Sequence, residues 1–129
     1  MTALDLESDD VRLLADLGYM AVSHGLDVHA QAIFLGLRAV RPQLEAAPVG
    51  LALVHLLRDE VEAAIKLLRE AGPGDAARTF LGIALARHGD LEEARRLLSD
   101  VATSAKGTAH GTLAAETLAA LANGPARGA

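Results

Sequence analysis

The chain has 129 residues and a mass of 13.4 kDa, which suits one domain around one core and is too short for two independent ones. It has no cysteine, which excludes disulfides, a thiolate nucleophile and Cys-ligated metal. Twelve Lys+Arg against seventeen Asp+Glu give a formal net charge of -5, the wrong sign for a general nucleic-acid binder.

Ala and Leu dominate a 51% hydrophobic composition in which aromatics are only 2%, and this favours helices. The opening stretch, residues 1–9, carries Asp5, Glu7 and Asp9 with no basic residue. It reads as a flexible acidic N-terminus, because a secretory leader needs a positive start and an apolar core. From there the pattern predicts helices over 10–24, 27–41, 47–58, 60–71, 75–88, 90–104 and 108–122, with a flexible tail over 124–129. Breakers separate them at Gly25-Leu26-Asp27, Arg41-Pro42, Arg58-Asp59, Gly72-Pro73-Gly74 and Gly89-Asp90. Asp27, Asp75 and Asp90 stand where N-caps belong, and Asp90 with Glu93 has capping-box spacing. Between Glu45 and Arg58 lie twelve residues without formal charge, Ala46 to Leu57, too few for a membrane span. A soluble cytoplasmic protein is expected.

The chain repeats itself. Leu17-Gly18, His24-Gly25, Ala30 and Phe34 recur 64 residues later as Leu81-Gly82, His88-Gly89, Ala94 and Leu98. A middle copy fits between them: Leu51-Ala52, Asp59, Ala64 and Leu68. A period in the thirties signals stacked helix pairs. Small residues at Gly18 with Ala30, and at Gly82 with Ala94, predict close helix approach.

These columns resemble the tetratricopeptide repeat. The likeness runs through Leu14, Leu17, Gly18, Ala21, Gly25, Ala30, Phe34, Leu37 and Pro42, then Leu51, Ala52, Ala64, Leu68 and Ala71, then Leu81, Gly82, Leu85, Gly89, Ala94, Leu98 and Val101. The second copy departs from the pattern, with Pro48 early in its first helix and no closing proline. The resemblance implies an all-α fold, a right-handed α-solenoid of about three tetratricopeptide-like hairpins plus a C-terminal capping helix. One domain over 10–123 is expected, with repeats at about 11–44, 45–74 and 75–106 and the capping helix at 108–122.

The second helix of each pair is amphipathic and should be the outer, solvated one. The first helix of each pair is apolar nearly all round. In a tetratricopeptide stack one side of these helices lines a concave groove. That side would carry Ala15, Tyr19, Val22, Val49, Leu53, Leu56, Leu57, Phe80, Ile83 and Ala86. An open apolar patch of this kind normally marks a binding site, with Tyr19 and Phe80 as its natural anchors, and its cover is expected to be another chain or this chain's own N-terminal arm or seventh helix.

Polar chemistry is sparse. His24 and His88 share a repeat column just before a glycine, where a helix C-terminus suits a partly cationic ring. His55 sits in an apolar helix and reads as a hydrogen-bonded interior histidine. No zinc spacing, phosphate loop, acid pair or nucleophile context appears, so neither a cofactor, a metal nor an enzyme is expected. The carboxylate clamp of many tetratricopeptide domains needs Lys and Asn, whereas the matching columns hold Ala15, Val49 and Thr79, and Tyr19, Leu53 and Ile83.

The stretch Leu13 to Leu44, with Leu-Gly-Tyr, His-Gly and Phe-Leu-Gly-Leu-Arg-Ala-Val-Arg-Pro-Gln-Leu, is similar to the first repeat of the small tetratricopeptide chaperones of bacterial type III secretion systems. That resemblance implies a non-enzymatic cytoplasmic chaperone or assembly factor, holding an amphipathic helix or extended apolar segment of a protein client in the groove. The competing expectation is a self-associating scaffold, a homodimer or hetero-oligomer, with no export client.

Overall fold

The computed structural model describes residues 7–123. They form seven helices: α1 (Ser8–Ser23), α2 (Asp27–Val40), α3 (Ala46–Leu57), α4 (Val61–Glu70), α5 (Asp75–His88), α6 (Leu91–Ser104) and α7 (Ala109–Asn123). No strand occurs among the described residues. Every boundary falls within two residues of the expected one. Ser8 and Asp9 form the first turn of α1, while the expected flexible stretches over 1–6 and 124–129 lie outside the described residues.

One turn geometry is used three times, after α1, α3 and α5. Leu26 N–H donates to Ala21 O at 2.8 Å, Glu60 N–H to His55 O at 2.8 Å and Asp90 N–H to Leu85 O at 2.9 Å. Inside each, Gly25, Asp59 and Gly89 donate to Val22, Leu56 and Ala86. This paired bonding needs a left-handed residue at its centre. The three residues have φ of 71°, 60° and 100°, and Asp59 is the only described non-glycine with positive φ. The repeat column of Gly25, Asp59 and Gly89 is therefore a column of helix stops.

The helix starts differ from expectation. Asp27 and Asp75 are the first helical residues rather than caps, and Asp90 occupies the cap position without a side-chain cap bond. Each carboxylate has another partner. Arg58 Nε donates to Asp27 Oδ2 at 2.7 Å, Arg78 Nη2 to Asp75 Oδ1 at 2.8 Å, and His88 Nδ1 to Asp90 Oδ2 at 3.1 Å. For Asp27 and Asp75 the donor is a guanidinium, whose charge makes a stronger hydrogen bond than a neutral backbone amide does. Pro48 lies in the first turn of α3, where its missing N–H has no helical acceptor to lose.

The helices fall into two compact units, Met1–Ala71 and Gly72–Ala129. In the first, α2 packs on α1 and α3, α3 packs on α1, and α4 folds back on α3. Its core joins Val11, Ala15, Ala21, Ala30, Phe34, Leu37, Ala47, Leu51 and Val54. Phe34 is fully buried. A Cβ on Gly18 would stand 2.6 Å from Phe34 Cζ, and one on Gly50 would strike the same ring. The expected close approach at Gly18 thus serves a wedge: two glycines, one on α1 and one on α3, make room for an aromatic ring from α2. Arg58 at the end of α3 reaches across to Asp27 and Gln31 and ties α3 to the first turns of α2.

In the second unit, α6 packs on α5 and α7, and α5 on α7. Leu98, Val101, Ala105 and Ala114 form its core, with Ile83, Ala102, Leu118 and Leu121 packed against them. Leu98 is the wedge here, and a Cβ on Gly82 would lie 2.7 Å from its Cγ. At the start of α7, Gly111 sits against the Ala105 carbonyl with no room for a side chain. Thr108 secures that end, its hydroxyl donating to Ala105 O at 2.6 Å and accepting from Gly111 N–H at 3.1 Å.

Candidate functional site

On α1, Ser8, Arg12, Ala15 and Tyr19 follow the spacing i, i+4, i+7 and i+11, which puts them on one helix face. The neighbouring carboxylates Asp9 and Asp10 fall on other sides of the helix. The N-terminal half of this face opens onto a cavity of about 350 Å³, lined by Ser8, Val11, Arg12, Ala15, Arg41, Leu44 and Ala46. The α2–α3 loop supplies Arg41 and Leu44, and the first turn of α3 supplies Ala46. Its floor is apolar, and both ionisable residues in its lining are arginines. Arg41 is held by its Nη1 donating to Val40 O at 3.1 Å.

Tyr19 stands one turn further along α1. Its ring lies 5.1 Å from that of Phe34, tilted by 56°, so the core wedge supports it from beneath. The side chain is half-buried. Burial pushes its phenol up to about 12, and the Glu45 and Asp16 carboxylates push the same way by repelling a phenolate.

The expected groove residues separate into two groups. Ala15, Val49 and Leu56 are buried, Val49 completely; Ala15 still lines the cavity, whereas Val49 and Leu56 support the face from within. Tyr19, Val22 and Leu53 are half-buried, and Leu57 is 43% exposed. In the second unit Phe80, Ile83 and Ala86 are all half-buried. Ile83 leans on the Leu98 core, and Phe80 meets the ring of His110 edge-on, with centroids 6.2 Å apart.

Sequence reasoning missed Arg12, Arg41 and Leu44. Arg12 stands three residues before Ala15 on the same face, so helical spacing alone could have found it. Arg41 and Leu44 are positioned by a loop, and no periodicity announces them. A second apolar stripe, on the side of α1 away from its core, was also missed: Leu13, Leu17 and Met20 are 58%, 43% and 56% exposed.

The histidines do local work. His24 Nδ1 donates to Met20 O at 2.9 Å, closing the end of α1 as its column suggested. His88 pairs with Asp90 across the turn instead. His55 is not an interior residue: its Nδ1 donates to Glu60 Oε1 at 2.7 Å across the equivalent turn after α3. Among the described residues no group of three or more His, Asp or Glu side chains could hold a metal, and no helix is long and apolar enough to cross a membrane.

No family model matches this chain, and no curated protein matches it in sequence. Its fold does have counterparts among solved structures. The Yersinia enterocolitica type III secretion translocator chaperone SycD superposes with a TM-score of 0.71 at 17% identity, over 88% of this chain and 91% of that one. PcrH, solved in complex with the chaperone-binding region of PopB, superposes with a TM-score of 0.68 at 21% identity, over 87% and 94%. The chain therefore has the all-α, tetratricopeptide-like fold of these translocator chaperones.

Proposed function

We propose that this protein is a non-enzymatic cytoplasmic chaperone that holds an apolar segment of a protein client, as a type III secretion chaperone does. The observation that carries the reading is the apolar face of the first unit, where Tyr19, Val22, Leu53 and Leu57 are incompletely buried above a closed core. It stands in a fold shared with PcrH, which was solved with a client region bound. Phe80, Ile83 and Ala86 give the second unit an apolar face of its own. Affinity would come from apolar area removed from water, about 25 cal/mol per Å² before the cost of ordering the segment. A photo-crosslinking residue at position 53 in the native cell tests this. One dominant adduct is expected there, and none from the same residue at Arg95 on the outward side of α6. With the crosslinker kept at position 53, a Val22→Asp, Leu57→Asp variant should lose that adduct while keeping its helical spectrum, and retention of it would end the proposal.

The stripe of Leu13, Leu17 and Met20 favours a second reading, self-association through the back of α1. Light scattering over a concentration series separates the two. A dimer that Leu17→Glu dissolves, with no adduct at position 53, would support the scaffold reading over the chaperone one.

A further inference from the structure

Resting on the client-holding reading, we infer that the cavity at the start of α1 selects a client segment in which an apolar side chain is flanked by an Asp or Glu side chain. At about 350 Å³ the cavity has the volume for a large aliphatic side chain, and Val11, Ala15, Leu44 and Ala46 are the apolar part of its lining. Arg12 and Arg41 are the only charged groups in its lining, in a protein whose formal net charge is -5. The local sign is thus opposite to that of the whole chain. A guanidinium beside an apolar wall is suited to bidentate contact with a carboxylate, and the low-dielectric surroundings strengthen that contact. Arg12 is exposed, and among the described residues it has no hydrogen-bond or ion-pair partner. Its charge is therefore available without breaking a contact to any other described residue. Arg41 is steadied by the Val40 carbonyl, which limits the rotamer freedom lost on binding.

The face also has a direction. Arg12 lies at the cavity end, and Asp16 and Glu45 act on Tyr19 one turn away. A segment lying along α1 meets positive charge at the cavity and negative charge beside Tyr19. A carboxylate is then disfavoured beside Tyr19, which biases the orientation of the client as well as its composition.

The test is selection of C-terminally amidated peptides from a pooled library, each with a fixed central leucine and randomised flanks, by the intact protein. The wild type should enrich Asp and Glu on one side of the leucine by at least about tenfold, the scale of one charge-assisted contact. Arg12→Glu should reverse that preference toward Lys and Arg while keeping the helical spectrum of the wild type. Arg12 is a solvated residue outside the core, so this variant should fold. If leucine peptides are retained but their flanks stay random, the charge selection is wrong and the client-holding face survives. If peptides with the leucine replaced by serine are retained equally well, the client-holding face itself is wrong.

Discussion

In α2 the wedge residue is Phe34, seated between Gly18 and Gly50; in α6, 64 residues on, it is Leu98, seated on Gly82 and joined in the core by Ala114. Ala114 is the position equivalent to Gly50. One unit combines a ring with two glycines, and the other combines a smaller aliphatic side chain with one glycine and one alanine. Total volume is kept while its distribution changes, which is the kind of exchange cores tolerate best. The same offset places His110 where the first unit has Ala46. Ala46 borders a cavity, whereas the His110 ring stands edge-on to Phe80. The two units thus share one packing scheme and differ in what they leave open.

The largest effect should come from removing the wedges. Phe34→Ala should cost about 3–5 kcal/mol and Leu98→Ala about 2–5 kcal/mol, read by urea unfolding. Equal small losses in both would break the wedge description. Converting the first unit to the second's arrangement is the next test. Gly50→Ala alone should cost about 1–3 kcal/mol through overpacking, and adding Phe34→Leu should recover part of that loss. A coupling of about 0.5–3 kcal/mol between the two sites is the expected signature, and strict additivity would contradict it.

Tyr19 offers a reading of the open face without substitution, because the chain has one tyrosine and no tryptophan. Its tyrosinate absorbance should titrate near 12 in the folded protein. A raised phenol favours the neutral form in the fold. Its stabilising contribution is complete below the unfolded value of about 10 and is lost as pH rises through about 12. Titration at the ordinary value would place Tyr19 in free solvent. Arg58 holds the Asp27 carboxyl below its usual range by hydrogen bond and charge. That stabilising effect is present above the ordinary carboxylate value and fades as pH falls through the lower, folded one. Asp27→Asn should flatten acid unfolding slightly in that window. The smallest effect should be at the helix stops. Asp59→Gly should change stability by no more than about 0.5 kcal/mol, while Asp59→Val should lose about 1–2 kcal/mol because its backbone is left-handed.

The repeat was readable because its marks are backbone marks. Gly25, Asp59 and Gly89 hold one dihedral and one bonding pattern, and these survive the change of Gly to Asp. Helix positions followed from periodicity and breakers for the same reason. The second role of Gly50 was not readable, since it depends on a ring from another helix. Val49 and Leu56 belong to an all-round apolar helix, and periodicity alone could not divide its buried side from its open one. The caps expected at Asp27 and Asp75 failed because arginines distant or nearby in sequence, Arg58 and Arg78, compete for the same oxygens.

Mapping a selected leucine peptide onto the isotopically labelled protein by amide and methyl shift changes tests the central claim most directly. Binding should perturb Arg12, Ala15, Tyr19 and Leu53, and leave Leu13, Leu17 and Met20 on the far side of α1 unchanged. Perturbation confined to Leu13, Leu17 and Met20, with Tyr19 and Leu53 silent, would show that the client-holding face has been placed on the wrong side of the helix.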